Sequence, residues 1–161
     1  MKTHVKYGLI GGGIGFVLNI PIAAFMGICG PIVSIAAGGI SGFMSSYNSK
    51  ETQKREGTQA GAIAGGIAGA LTLVGQLIGA TLVLIFVHQS GMPMGIGEVP
   101  ALNAPAWEKT VYYGFGIGTG FCIGLAGAIL SAIAGSIGGR LGVREVVAEE
   151  EKKTGTTENL S

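Results

Sequence analysis

Residues 58–87 read TQAGAIAGGIAGALTLVGQLIGATLVLIFV, and this stretch decides the fold of the chain. It contains no Asp, Glu, Lys or Arg, and it lies within a run of 41 residues without these charges, between Glu56 and Glu98. A helix that crosses a bilayer needs about 20 mostly apolar residues, because each residue advances the helix by about 1.5 Å. The stretch therefore predicts a membrane-spanning helix over residues 58–87.

A longer charge-free run precedes it, with 43 residues between Lys6 and Lys50. This length is sufficient for two spans. Gly30-Pro31 marks the turn between them, since Pro cannot continue a helix and Gly tolerates a tight backbone. We predict the first two helices at about 7–28 and 31–47.

A third charge-free run of 30 residues lies between Lys109 and Arg140 and predicts the fourth helix at about 110–139. Residues 1–142 are thus predicted to form an all-α membrane domain of four transmembrane helices. The charged segment 143–161 is expected to extend the last helix and to end in a loose, polar tail.

The composition excludes other classes of protein. Of 161 residues, 31 are Gly and only 12% are charged, whereas about 7% Gly and about 25% charged residues are usual. The chain has ten Lys and Arg residues and nine Glu, so it lacks the basic surface that a nucleic-acid partner requires. The lipid bilayer is the predicted partner.

Lys and Arg predict the orientation of the spans, because cytoplasmic loops carry an excess of these residues. With both termini in the cytoplasm, one basic residue lies outside (Lys109) and nine lie inside: Lys2, Lys6, Lys50, Lys54, Arg55, Arg140, Arg144, Lys152 and Lys153. Trp107, Tyr112 and Tyr113 then fall at the outer interface, where amphipathic rings anchor a helix. We predict a multi-pass protein of the cell (plasma or inner) membrane.

The N-terminus has a competing interpretation as a cleaved signal peptide. The residues MKTHVK resemble its charged start, and Ala23 and Ala24 lie near a suitable cleavage position. However, Asn19-Ile20-Pro21 interrupts the apolar core, and the apolar run continues to residue 47. We therefore expect the first helix to remain part of the protein.

Small residues recur at Gly-x-x-x-Gly spacing in all four predicted helices. This spacing lines one helix face with small residues, which lets two backbones approach closely within the bilayer. We also considered a bundle that is narrow at the cytoplasmic leaflet and opens an outer-leaflet crevice. The predicted packing residues are Gly11, Gly15, Gly38, Gly42, Gly61, Gly65, Gly69, Gly116, Gly120, Gly124, Gly135 and Gly139.

Asn19 and Gln76 are the strongest polar residues within the predicted spans. An unpaired amide is unfavourable in hydrocarbon, so each side chain should find a partner. Two interpretations remain open: the amides join helices 1 and 3, or meet at a contact between protomers; alternatively, they line a path for substrate or water.

No catalytic set, metal site or cofactor is predicted. The chain has no HExxH or P-loop sequence, and His4 and His88 are predicted on opposite sides of the bilayer. Cys29 and Cys122 are expected to be packing residues at different depths rather than a disulfide. His88, Met92 and Met94 form only a weak candidate for a copper site. The absence of ionisable residues within the spans disfavours an ion-driven transporter.

The tracts Gly61–Gly69 and Ile133–Gly139 resemble those of glycine-zipper membrane proteins. The architecture is similar to that of small, uncharacterised four-span Gly-rich proteins of prokaryotes, and the likeness covers the four spans. It implies an all-α bundle and no particular substrate. Mitochondrial inner-membrane translocase channels are also similar, but their distinguishing charged residues are missing from these spans.

These observations favour a non-catalytic structural or accessory subunit. It would pack through its Gly faces against itself or against other membrane subunits. The alternative is an oligomeric passive channel or small-molecule exporter, with Asn19, Thr72, Gln76 and Thr81 lining the path.

Overall fold

The computed structural model describes residues 2–25, 30–49, 53–90, 100–101 and 103–158, with side chains described outside 23–25 and 144–158. This part of the chain is helical and contains no strand. The four helices are α1 (Thr3–Phe25), α2 (Gly30–Ser49), α3 (Lys54–Ser90) and α4 (Ala106–Glu158).

The helix bounds differ in detail from those predicted. The predicted end of the first helix, residues 26–28, lies outside the described residues. Gly30 and Pro31 belong to the first turn of α2 instead of forming a separate turn. Pro is tolerated there because the first N–H groups of a helix have no partner within the helix.

The C-terminal segment extends the last helix, and it differs from the prediction only in its final residues. α4 is one continuous helix of 53 residues, about 80 Å long, and the predicted loose tail is helical as far as Glu158. Residues 144–153 contain mostly strong helix formers such as Ala, Glu, Lys and Arg, and they contain no Pro. Local propensity therefore accounts for the predicted extension of the helix over residues 144–153.

Three helical segments are long and apolar enough to cross a membrane: Thr3–Ile22, Lys54–Ser90 and Ala106–Val143. Their mean hydropathies are 1.4, 2.3 and 1.9. These helices indicate a multi-pass membrane protein. α2 has 20 residues but is not among the three segments, and its sequence contains five serines.

α2 and α3 occupy the centre of the bundle. Each of them packs against the other three helices, whereas α1 and α4 make no contact with each other in the described part of the chain. α1 and α4 therefore lie on opposite sides of the central pair.

Successive helices alternate in direction. Gly8 lies beside Ala64 and Gly75 beside Phe16, so α1 and α3 run parallel. Ser34 contacts Thr72 and Ser46 contacts Gly57, so α2 runs antiparallel to α3. Likewise, Gly65 meets Ser131 and Gly116 meets Leu84, which makes α3 and α4 antiparallel. We call the end that holds Thr3, Ser49 and Lys54 the termini end, and the end that holds Ser90 and Ala106 the loop end; α2 begins at Gly30, beside Gln76 of α3.

The bundle carries its large side chains outside and its small ones inside. Half of the buried apolar residues are Ala, and two of these, Ala64 and Ala68, are fully buried. Large apolar side chains are exposed on every helix, and the most exposed include Val17, Ile32, Phe86 and Phe115. Such a surface is unusual in water, but lipid chains solvate it well.

Candidate functional site

A close helix contact joins the predicted Gly61–Gly65–Gly69 stripe of α3 to the small residues of α4. A Cβ atom added at Gly65 would lie 2.5 Å from the Ser131 carbonyl oxygen. At Gly69 it would lie 2.9 Å from the Ala128 carbonyl oxygen. Since real Cβ atoms do not approach this closely, a larger residue at these positions requires the backbones to move apart.

α2 approaches α4 in the same way. Added Cβ atoms at Gly38 and Gly42 would overlap the backbones of Ser131 and Gly135. Two glycines that the sequence analysis did not select, Gly138 and Gly142, complete this contact; a Cβ at Gly142 would lie 2.7 Å from the Phe43 carbonyl oxygen. Gly135 thus lies where α2, α3 and α4 come closest.

α1 packs mainly against α3, again at positions where a glycine of one helix faces the backbone of the other. A Cβ at Gly8 would lie 2.9 Å from the Ala64 carbonyl oxygen, and one at Gly75 would lie 2.8 Å from that of Phe16. The predicted residues Gly11 and Gly15 instead face side chains, those of Ser41 and Thr72.

Towards the loop end, α3 and α4 contact each other through side chains instead of backbones. Added Cβ atoms would lie 2.7 Å from the Leu84 side chain at Gly116 and 3.4 Å from the Ala80 Cβ at Gly120. These neighbours are side-chain atoms, whereas at Gly65 the neighbours are backbone atoms. The two backbones are therefore closest towards the termini end.

A polar layer crosses the interior of the bundle; we define it as Asn19, Ser34, Thr72 and Gln76, all of which are buried. Asn19 Nδ2 donates a hydrogen bond to the Thr72 carbonyl oxygen at 2.9 Å and links α1 to α3. Ser34 Oγ lies 3.0 Å from Thr72 Oγ1 and links α2 to α3. Thr72 Oγ1 donates to the Gly69 carbonyl oxygen at 2.9 Å, so it accepts from Ser34.

Gln76 lies between α2 and α4 with an exposed fraction of 2%. Its Oε1 would lie 2.7 Å from a Cβ added at Gly30 and 3.4 Å from one added at Gly124. Neither Gln76 Oε1 nor Asn19 Oδ1 accepts a hydrogen bond from the described residues. The polar layer therefore contains two buried carbonyl oxygens that need a donor.

Serines extend the polar interior towards the termini end, and the sequence analysis missed them. Ser46 Oγ donates to the Gly57 carbonyl oxygen at 3.0 Å, and Ser131 Oγ donates to that of Gly65 at 2.8 Å. The spacing of the α2 serines in the sequence indicates a polar face: Ser34, Ser41 and Ser45 lie on one face of the helix, and all three are buried.

Aromatic side chains join α3 and α4 at the loop end. The His88 ring lies 5.7 Å from that of Tyr113 and 6.4 Å from that of Tyr112, between centroids. Tyr112 and Tyr113 pack edge to face at 5.5 Å. The third predicted anchor, Trp107, is 69% exposed. These rings are available to an interface at this end of the bundle.

The other candidate residues do not come together. Thr81 donates to the Leu77 carbonyl oxygen of its own helix and lines an open, apolar hollow with Ile78 and Leu82. Within the described residues, no three His, Cys, Asp or Glu side chains form a group suited to a metal. Cys29, Met92 and Met94 lie outside the described residues.

One face of α4 carries small residues that do not pack within the bundle. Added Cβ atoms at Gly114 and Gly118 would meet no described atom within 4 Å, and the Cys122 thiol is free. The Gly-x-x-x-Gly spacing had predicted packing at the neighbouring Gly116, Gly120 and Gly124 instead. We call this face the α4 stripe; its members are spaced four residues apart and are all exposed: Thr110, Gly114, Gly118, Cys122 and Ala126.

The geometry thus presents two candidate sites, the polar layer inside the bundle and the α4 stripe outside it. The first offers buried hydrogen-bond acceptors, and the second offers a surface that a further helix can approach closely. Comparison with protein-family models, curated proteins and solved structures finds no match for this chain.

Proposed function

We propose that this protein is a non-catalytic subunit of the cell membrane that spans the bilayer four times and associates through the α4 stripe with a second copy of itself. The exposed stripe is the observation that carries this proposal. Small residues at four-residue spacing favour close packing of helices in lipid, where burial of apolar surface alone gives no driving force.

The contacts within the bundle explain why we assign the association to the α4 stripe and not to a face of α3. α3 has small residues on several faces, but it packs against three helices, and its Ala64, Gly65 and Gly75 all face neighbours within the chain. α4 packs against two helices, and its stripe faces neither of them. Large exposed side chains flank the stripe and can pack around a crossing helix: Val111, Phe115, Phe121 and Leu125.

The polar face of α2 supports its assignment as a fourth span. Its serines point inwards; the hydroxyls of Ser34, Ser41 and Ser46 bond to Thr72, to a carbonyl group one turn earlier and to Gly57, whereas Ser45 Oγ has no partner among the described residues. Its outward face exposes apolar side chains such as Ile32 and Ile40, which are 66% and 61% exposed. A helix of this kind lowers the mean hydropathy without presenting polar groups to lipid.

The charge distribution supports a cytoplasmic location of both termini. Lys6, Lys54 and Arg140 are exposed at the termini end, whereas Lys109 lies at the loop end. This distribution matches the excess of Lys and Arg that cytoplasmic segments carry.

Cys122 provides a direct test, because it is a native thiol in the stripe. In membranes of a Cys29→Ser variant, mild oxidation with copper phenanthroline should cross-link Cys122 to Cys122 of a second copy. The matched control moves the thiol to Ile117, which is 38% exposed and lies about 140° around α4 from Cys122. Absent cross-linking at Cys122, or equal cross-linking at both positions, would contradict the proposal.

The alternative function, a passive channel or exporter, has less support from the geometry. Asn19, Thr72 and Gln76 lie in the polar layer, but Thr81 bonds to its own helix and lines the open hollow. Liposome flux that is lost in Asn19→Leu and Gln76→Leu variants, with assembly unchanged, would favour the channel over the accessory subunit.

A further inference from the structure

We propose that the outward face of α1 binds one anionic phospholipid, with the phosphate beside Lys2 and Lys6 and an acyl chain in an open, apolar hollow around Gly13. The hollow lies in the half of the bilayer at the termini end. Because α1 does not contact α4 in the described part of the chain, this inference holds or fails independently of self-association through the α4 stripe.

The first observation is the hollow itself. It is an open space of about 470 Å³ on α1, lined by Ile10, Gly13, Ile14, Val17 and Leu18. A Cβ atom added at Gly13 would meet no described atom within 4 Å, so the glycine leaves a gap between large, exposed side chains. A flexible hydrocarbon chain can fill such a gap and gain dispersion contacts on several sides.

The second observation is the charge on the same face of α1. Lys6 precedes Ile10 by four residues and Gly13 by seven, and Lys2 precedes Lys6 by four, so both lysines lie in line with the hollow. Both are exposed, and neither ammonium group makes an ion pair within the described residues. The chain contains no Asp or Glu before Glu51, so α1 and α2 supply no carboxylate to these lysines. An anionic headgroup can supply the countercharge.

The distances along the helix fit a phospholipid. From Lys6 to Leu18 the helix advances by about 18 Å, at about 1.5 Å per residue. Half of the hydrocarbon core of a bilayer is about 15 Å thick. A lipid with its phosphate beside Lys6 therefore places its acyl chain over the whole hollow, and the long lysine side chains can extend towards the headgroup.

A second hollow, on α3, lacks this combination. It is an open space of about 260 Å³ that includes Ile78 and Thr81, but α3 has no Lys or Arg after Arg55. Lipid chains that cover this hollow are therefore not selected by the charge of their headgroup. We assign the selective binding of an anionic lipid to α1 because its hollow and its lysines lie on one face.

Native mass spectrometry of the full chain in mild detergent measures the binding of single lipids, with phosphatidylglycerol and phosphatidylcholine of identical acyl chains as the probes. We expect the parent to bind phosphatidylglycerol more tightly, by about fivefold for each lysine beside the phosphate. Lys6→Gln should lower this preference about fivefold. Arg140→Gln, which removes an exposed charge from α4 on the opposite side of the bundle, should retain it. Equal binding of the two lipids by the parent, or the same preference in both variants, would overturn the proposal.

A second pair of variants tests the hollow with the charges left in place. Gly13→Leu fills the gap between the large side chains, so it should weaken the binding of both lipids several-fold. The matched control is Gly66→Leu on α3, because a Cβ atom added there also meets no described atom within 4 Å. This control should bind both lipids as the parent does. Lipid binding that is equally strong in Gly13→Leu and Gly66→Leu would contradict the placement of the acyl chain.

Discussion

Two adjacent glycines of α3 have opposite surroundings. Gly65 is buried and faces the backbone of α4, whereas an added Cβ at Gly66 would meet no described atom within 4 Å. In lipid, exposed apolar surface is already solvated, so a larger side chain at a close crossing gains no compensating burial. The effect of replacing glycine on stability thus depends on what the glycine contacts and not on its place in the sequence pattern.

We predict that Gly65→Leu destabilises the protein by about 1–3 kcal/mol, as overpacking does in other protein interiors. Gly66→Leu is the matched control. It should be neutral or stabilising by up to about 1 kcal/mol, because Leu is the better helix former. Reversible unfolding by SDS in mixed micelles measures both values. Equal effects of the two substitutions would show that α3 does not contact α4 closely at Gly65.

Asn19 and Gln76 were recognisable from the sequence, because amides stand out in an apolar run. The inward serines of α2 were not, since serine is small and bonds readily to its own helix, as Ser41 does to the Ala37 carbonyl oxygen. The sequence selected Gly116 and Gly120 but missed Gly114 and Gly118. Lipid accepts apolar residues on every face of a helix, so the pattern does not show which Gly face points inwards.

At the scale of the helix, the contacts that hold α3 and α4 together change along the length of the helices. Towards the termini end, α3 and α4 meet backbone to backbone, as at Gly65 and Gly135, and Ser131 adds a hydrogen bond to the Gly65 carbonyl oxygen. Towards the loop end, side chains such as Leu84 separate the two helices. Charge-free runs predicted these helices, and the charged segment after the last run was predicted to extend α4; the helix continues further, through residues 154–158, where Gly and Thr are weak helix formers that give no signal in the sequence.

This gradient predicts a gradient of hydrogen exchange in nanodiscs. Backbone amides of residues 61–69 and 128–139 should exchange more slowly with D₂O than those of 78–88 and 108–120, because local opening is easier where packing is looser. Mass spectrometry of peptic fragments measures the exchange. Slower exchange at the loop end than at the termini end would contradict the contacts described above.

At the scale of the whole molecule, the four alternating helices place both termini at one end, together with the exposed basic residues Lys6, Arg55 and Arg140. The loop end holds Trp107 and the rings of His88, Tyr112 and Tyr113. The distribution of charged and aromatic residues thus gives the bundle two different ends, as expected of a protein with a fixed orientation in the membrane.

This asymmetry predicts the accessibility of introduced cysteines in a Cys29→Ser, Cys122→Ser background. A membrane-impermeant maleimide should label Ser90→Cys or Gly97→Cys on intact cells. It should label Ser49→Cys or Thr156→Cys only after permeabilisation. The reverse pattern would show that the termini lie outside, and would leave the number of spans unaffected.

The proposed dimer joins two copies of this chain through the exposed α4 stripe. Native mass spectrometry of the protein released from nanodiscs tests it most directly, with Gly118→Leu in the stripe and Gly66→Leu outside it. We expect a dimer for the parent and for Gly66→Leu, and a folded monomer for Gly118→Leu. A parent that is monomeric, or a Gly118→Leu variant that remains as dimeric as the parent, would contradict it.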